Sequence, residues 1–208
     1  HHGLTQHFAV QAAMFPEYVI EDWQIISKSL ADSGLRTVFT GHYHAQDITK
    51  VSGANGFIFD IETGSTVTSP CPYRTVSYNT VTNTMVIKSG TIANVSYTGI
   101  PNGTTFAKYA SDYLESGMKT ISYYMLTGSF NVPSAAVTGY KLDSLFTKSF
   151  IAHYAGDENL SAAEISASAT IKAVDETLGN AYLGVWNDFP PADNNVTLDL
   201  NTGIATKN

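Results

Sequence analysis

The sequence predicts an α/β (α+β) fold in two parts, strand-rich over residues 1–100 and mainly helical over 104–208 with a terminal hairpin. Three observations carry that reading. An apolar stripe at helical spacing runs through a Ser-Gly stop into a β-branched strand, which is half of an α/β unit. Short runs of alternating apolar residues then recur as far as residue 90. Beyond a turn-rich segment at 99–103 the apolar spacing switches from two to three and four.

Residues 16–34 set Val19, Ile20, Trp23, Ile26 and Leu30 three or four apart, as on one face of a helix. Pro16 suits its first turn and Ser33-Gly34 its end. Residues 35–40 (Leu-Arg-Thr-Val-Phe-Thr) are short, β-branched and aromatic, so a buried strand is expected there. Gly41 follows and is expected to turn the backbone sharply. Residues 56–61 alternate Phe57, Phe59 and Ile61 on one side, and residues 75–79 and 85–88 flank a hairpin turn at 80–84. Pro70, Cys71 and Pro72 mark the loop before that hairpin.

The second part opens with Phe106, Tyr109, Ala110, Tyr113, Leu114, Met118, Ile121 and Met125 at helical spacing. Leu142, Leu145, Phe146, Phe150 and Tyr154 mark another helix. Ser161-Ala162-Ala163-Glu164 fits a capping box that starts a third, to about residue 178. A Pro- and Asp-containing loop at 187–194 leads to a hairpin, with residues 196–200 turning at 201–203.

Composition narrows the function. Hydrophobic residues are 43% of the chain, enough for a core, and a formal charge of −7 argues against a nucleic-acid-binding surface. No apolar run approaches the ~20 residues of a membrane span. The single cysteine, Cys71, excludes an internal disulfide and a Cys-based zinc site. Charged residues are only 14%, so the surface falls to Ser, Thr, Asn and Tyr, which points to an extracytoplasmic protein, secreted or periplasmic. The Asn-X-Ser/Thr triplets at Asn94, Asn102, Asn159 and Asn195 are no more than chance supplies.

Five of the 6 histidines form two clusters: His1, His2 and His7, then His42 and His44. Imidazole suits borderline transition metals, and residues two apart on extended backbone address the same side. His42-Tyr43-His44 also follows a strand's carboxyl end, where open α/β sheets gather their sites. By contrast His7 is expected at the surface, and His153, with Phe150 and Tyr154 on an apolar helical face, is expected to be structural. Cys71, between two prolines and without a neighbouring His, is a poor nucleophile.

Thr40-Gly41-His42-Tyr43-His44 resembles the GHxH motif of the calcineurin-like metallophosphoesterases, and His1-His2-Gly3-Leu4 resembles the His block that precedes it in that family. The order matches over residues 1–90: His block, amphipathic helix, strand, GHxH, further strands. The resemblance implies the C-terminal half of an αββα sandwich, followed by a helical appendage or cap. It implies a hydrolase that cleaves phosphomonoesters or diesters with a metal-bound water. Two divalent or trivalent transition metal ions (Fe, Mn or Zn) would serve it, with a phosphate ester as substrate. Carried over, His1 and His42 are ligands of one ion and His44 of its neighbour, with His2 the alternative to His1. The resemblance assigns no catalytic residue within the chain.

The family's Asp-x-His, Gly-Asp-x-x-Asp and Gly-Asn-His blocks are absent, and Gly156-Asp157 lacks the second Asp. The chain is therefore expected to be a fragment that needs the missing N-terminal half of the same domain, and to be inactive alone. The alternative is a non-enzymatic, β-rich binding domain of an exported protein with incidental histidines.

Overall fold

In the computed structural model, residues 1–156 and 158–208 are described; Asp157, of the Gly156-Asp157 pair, lies outside them. The helices among these are α1 (Gln11–Met14), α2 (Trp23–Asp32), α3 (Phe106–Tyr124), α4 (Ser134–Tyr140), α5 (Leu142–Ala155), α6 (Ala162–Lys172) and α7 (Glu176–Trp186). The strands β1 (Thr37–Thr40), β2 (Asp47–Ser52) and β3 (Phe57–Glu62) make one sheet in the order β1-β3-β2. β3 is parallel to β1, with Thr37 opposite Phe59 and Thr40 opposite Glu62, and antiparallel to β2. A second, antiparallel sheet orders β4 (Pro72–Asn79), β5 (Thr84–Thr91), β6 (Val196–Asp199) and β7 (Ala205–Lys207) consecutively. The fold is mixed α+β.

Alternation along β3 explains the layers. Ile58 packs with Leu4 and with Ala31 of α2. Phe59 and Ile61 point the other way, into a core with Ile48, Met85, Ile87, Val196 and Leu198 between the two sheets. The result is helix, sheet, sheet. A third core joins Phe8, Met14 and Tyr43 to Phe146, Phe150, Leu178 and Tyr182 of the helices. Residues 104–208 thus supply helices that share a core with the opening segment, and two strands that extend the sheet begun by β4 and β5. Side-chain caps start three of the helices: Thr105 accepts from the amide of Lys108, Ser161 from Ala163 and Asp175 from Leu178. No described helix is long and apolar enough to cross a membrane.

Three expectations about this architecture need correction. The helix expected from Ser161 to about residue 178 is two helices: α6 ends at Lys172, and α7 starts at Glu176 behind its Asp175 cap. The helix expected over residues 16–34 is a 3-10 turn at Pro16–Tyr18 followed by α2 from Trp23. Tertiary pairing interrupts it: the Gly3 amide donates to the Tyr18 carbonyl, the Ile20 amide donates to the Gly3 carbonyl, and Val19 is extended and buried. The helix consequently turns Ser27 and Ala31 inward and leaves Ile25 and Ile26 exposed. The strand expected to be buried is at a sheet edge. Among the described residues β1 pairs with β3 alone, and Phe39 is 51% exposed.

This contrast sets a stability prediction. Phe59→Ala, from a side chain with no exposure, should cost about 3–5 kcal/mol by denaturant unfolding. Phe39→Ala on the exposed edge should change stability by no more than about 0.5 kcal/mol. Equal losses would contradict the layer assignment.

Candidate metal centre

A carboxylate in the middle of β3 organises the site. Asp60 Oδ2 accepts from the amides of Leu4 at 2.6 Å and Thr5 at 3.2 Å, and its Oδ1 accepts from Thr40 Oγ1 at 2.5 Å. One buried group therefore ties the opening segment to the carboxyl end of β1. The Gly41 amide then donates to the His1 carbonyl at 3.0 Å. The Tyr43 amide donates to the Gly41 carbonyl and to Glu62 Oε1. Across this junction His1 Nε2 comes to 3.0 Å from His42 Nδ1. The centre of the His2 ring lies 4.6 Å from that of His42, and the centre of the Tyr18 ring 4.8 Å from it. His44 Nδ1 is held at 2.9 Å from Thr68 Oγ1.

The turn itself differs from expectation. Gly41 does not take a left-handed conformation; His42 (φ 77°) and His44 (φ 70°) do. Such backbone costs a non-glycine residue roughly 1–2 kcal/mol, so the surrounding hydrogen bonds hold both histidines in strained geometry. His42 titrates below the usual histidine range, because of partial burial first and then repulsion from His2 and His44, with Glu17 opposing in part. At neutral pH it is the neutral imidazole that a metal requires.

The structure thus brings His1, His2 and His42 together, with His44 beside them against Thr68. It does not close a three-donor set there. Two groups of three His, Asp or Glu donors lie within 4.8 Å of one another among the described residues: Asp47, His153 and Asp188, and Glu158, Asp188 and Asp193. Beyond Thr68 a cavity of about 850 Å³ opens against α3, lined by Cys71, Phe106, Tyr113, Met118 and Ile121.

His7 is fully buried rather than at the surface, because the interior is acidic. Its Nδ1 lies 3.0 Å from Asp47 Oδ1 and its Nε2 3.3 Å from Asp60 Oδ2. Burial disfavours its charge, but Asp47 and Asp60 outweigh burial and raise its pKa well above the ordinary value. His153 is buried too, 2.5 Å from Glu158 Oε1. Its burial is likewise outweighed, chiefly by Glu158, and its pKa rises to about 9. Glu62 is pushed up to about 8, by burial first and then by the charges of Asp47 and Asp60. The one signal of this interior in the sequence is Phe-Ile-Phe-Asp-Ile-Glu, where two acids occupy an apolar strand and must find partners.

No protein-family model matches the chain, and no curated protein matches it.

The raised values set the sign of a pH dependence in metal-free protein. Folded His153 keeps its proton up to about pH 9, whereas the unfolded side chain loses it near 6.5. Its contribution is complete below pH 6.5 and disappears as pH rises through 9. Glu62 acts in the same direction, from its ordinary 4.5 to about 8. The melting temperature should therefore fall between pH 6.5 and 9, and His153→Gln should flatten that fall. A melting temperature that rises over this window would contradict the assignment.

Proposed function

We propose that the chain is the imidazole-bearing part of a metal-dependent phosphoesterase of the calcineurin-like kind. The observation that carries this reading is the 3.0 Å approach of His1 to His42 at the carboxyl end of β1, from positions 41 residues apart. The donor chemistry fits. Imidazoles held by hydrogen bonds at a strand end suit Fe, Mn or Zn, and His42 is kept neutral for that role. His1 and His42 would share one ion and His44 would serve its neighbour. When bound, such ions activate water and offset charge on the phosphoryl oxygens.

The chain's own residues would do the holding. Asp60 fixes Leu4, Thr5 and Thr40, so the two histidine segments keep their spacing. Thr68 would orient His44 from the ring nitrogen opposite the ion. The cavity beyond Thr68 would accept an apolar leaving group.

Two like-charged ions also need an anionic bridge, which imidazoles do not supply. The reading assigns those carboxylates to a segment outside these 208 residues that completes the αββα sandwich. Support comes from the edge strand β1, whose Phe39 is exposed, an edge that a further strand would cover.

A hydrolysis assay on an aryl phosphate and its diester with Mn²⁺ or Zn²⁺ tests this. The 208-residue chain alone should show no turnover, and the protein extended by the completing segment should hydrolyse one or both. In the extended protein His42→Ala should lower turnover at least ~100-fold, while Val81→Ala at the exposed hairpin tip should leave it unchanged. An unimpaired His42→Ala protein would place the chemistry elsewhere.

A further inference from the structure

The interior acidic cluster contains a second set of donors, well apart in character from the histidines at β1. Asp47 leaves the start of β2, and His153 sits in the last turn of α5. Glu158 follows α5, while Asp188 and Asp193 belong to the loop after α7. Asp47 and His153 have no solvent exposure, and Asp188 retains 17%. His153 Nε2 lies 3.7 Å from Asp47 Oδ2, and Asp188 Oδ2 lies 3.8 Å from His153 Nδ1.

Those spacings are too long for hydrogen bonds. His153 Nδ1 is already held by Glu158 Oε1 at 2.5 Å, which leaves Nε2, facing Asp47, as the ring nitrogen open to an ion, and one ligand atom from each of Asp47, His153 and Asp188 lies within 4.8 Å of the others. His153 Nε2 and Asp47 Oδ2 are buried with no hydrogen-bond partner. A buried imidazole nitrogen and carboxylate oxygen left this way are costly unless a cation or protons join them. His7 offsets Asp47 and Asp60 on one side, and Lys207 stands at the rim of the other.

We propose that Asp47, His153 through Nε2, and Asp188 hold one structural divalent cation of the Mn²⁺ or Zn²⁺ kind, with Glu158 orienting His153 from Nδ1 and Asp193 at the rim. The donor set selects that class: carboxylates with one imidazole and no thiolate suit Mn²⁺ and Zn²⁺, whereas Ca²⁺ takes oxygen donors alone. A cavity of about 360 Å³ lined by Glu158, Asp188, Asp193 and Lys207 gives an entry path. The ion would join β2 to the end of α5 and to the loop after α7, fastening the helices onto the sheets. Asp193 already contributes to that junction, accepting from the Ile48 amide at 3.1 Å. Burial and the neighbouring Asp47, Glu158 and Asp193 raise the pKa of Asp188, so protons are the competing occupants.

The test separates this ion from any at β1 by using the full chain carrying His42→Ala and His44→Ala, stripped with a chelator. Calorimetric titration with Mn²⁺ should find one equivalent. The melting temperature should rise by about 5–10 °C at a hundredfold excess over Kd. Adding Asp188→Asn should weaken binding at least tenfold and abolish the rise. Asp188 is the least buried of the three donors Asp47, His153 and Asp188, which favours a folded variant. Should circular dichroism show that variant unfolded, Glu158→Gln is expected to give the same loss. Stripped, folded protein that takes up no Mn²⁺ would overturn the proposal. So would a variant that keeps its affinity, or Asp188→Asn that is more stable without metal, the mark of carboxylates that merely share protons.

Discussion

The carboxylate of Asp60 is the constraint on which the rest depends. It is charged and buried in the central strand, with its pKa lowered despite the burial that opposes this, because His7 and the Thr40 and Thr5 hydrogen bonds favour the anion. Each of those bonds fixes a different piece of chain: the opening segment through Leu4 and Thr5, the end of β1 through Thr40, and the path to the helices through His7. Losing one partner of such a buried charge leaves the others uncompensated, which costs more than the bond alone. The histidine cluster at β1 is therefore built from behind, by residues that no metal would touch.

The molecule divides its titratable groups into two environments. At the strand edge, imidazoles crowd one another and His42 is kept neutral. In the metal-free interior, carboxylates outnumber their partners, so His7 and His153 are kept protonated and Glu62 is pushed toward its neutral form. His42 is thus prepared as a metal ligand at one place and His7 as a countercharge at another. Neighbouring charge, not burial alone, sets the difference.

What was legible in the sequence was whatever depends on neighbours close in the chain. The strand before Gly41 and the hairpin turn at 80–84 follow from local pattern, as do the capped start of α6 and the turn at 201–203. The meeting of His1 with His42 was legible only through ordered motifs, since no periodicity links them. Long-range pairing overrode local signals elsewhere. Val19 leaves the helical stripe to bridge Gly3, and β6 joins β5 across more than a hundred residues. The acidic interior was illegible for the same reason: Asp47, His153 and Asp188 meet from three distant segments, and a lone acid in a strand names no partner.

Anomalous diffraction at the zinc edge from Zn²⁺-soaked crystals of the protein extended by the completing segment measures the central assignment directly. A peak about 2.0–2.1 Å from ring nitrogens of both His1 and His42 is expected. A map in which those two rings remain in contact without a peak between them, although zinc was present at saturating concentration, would contradict it.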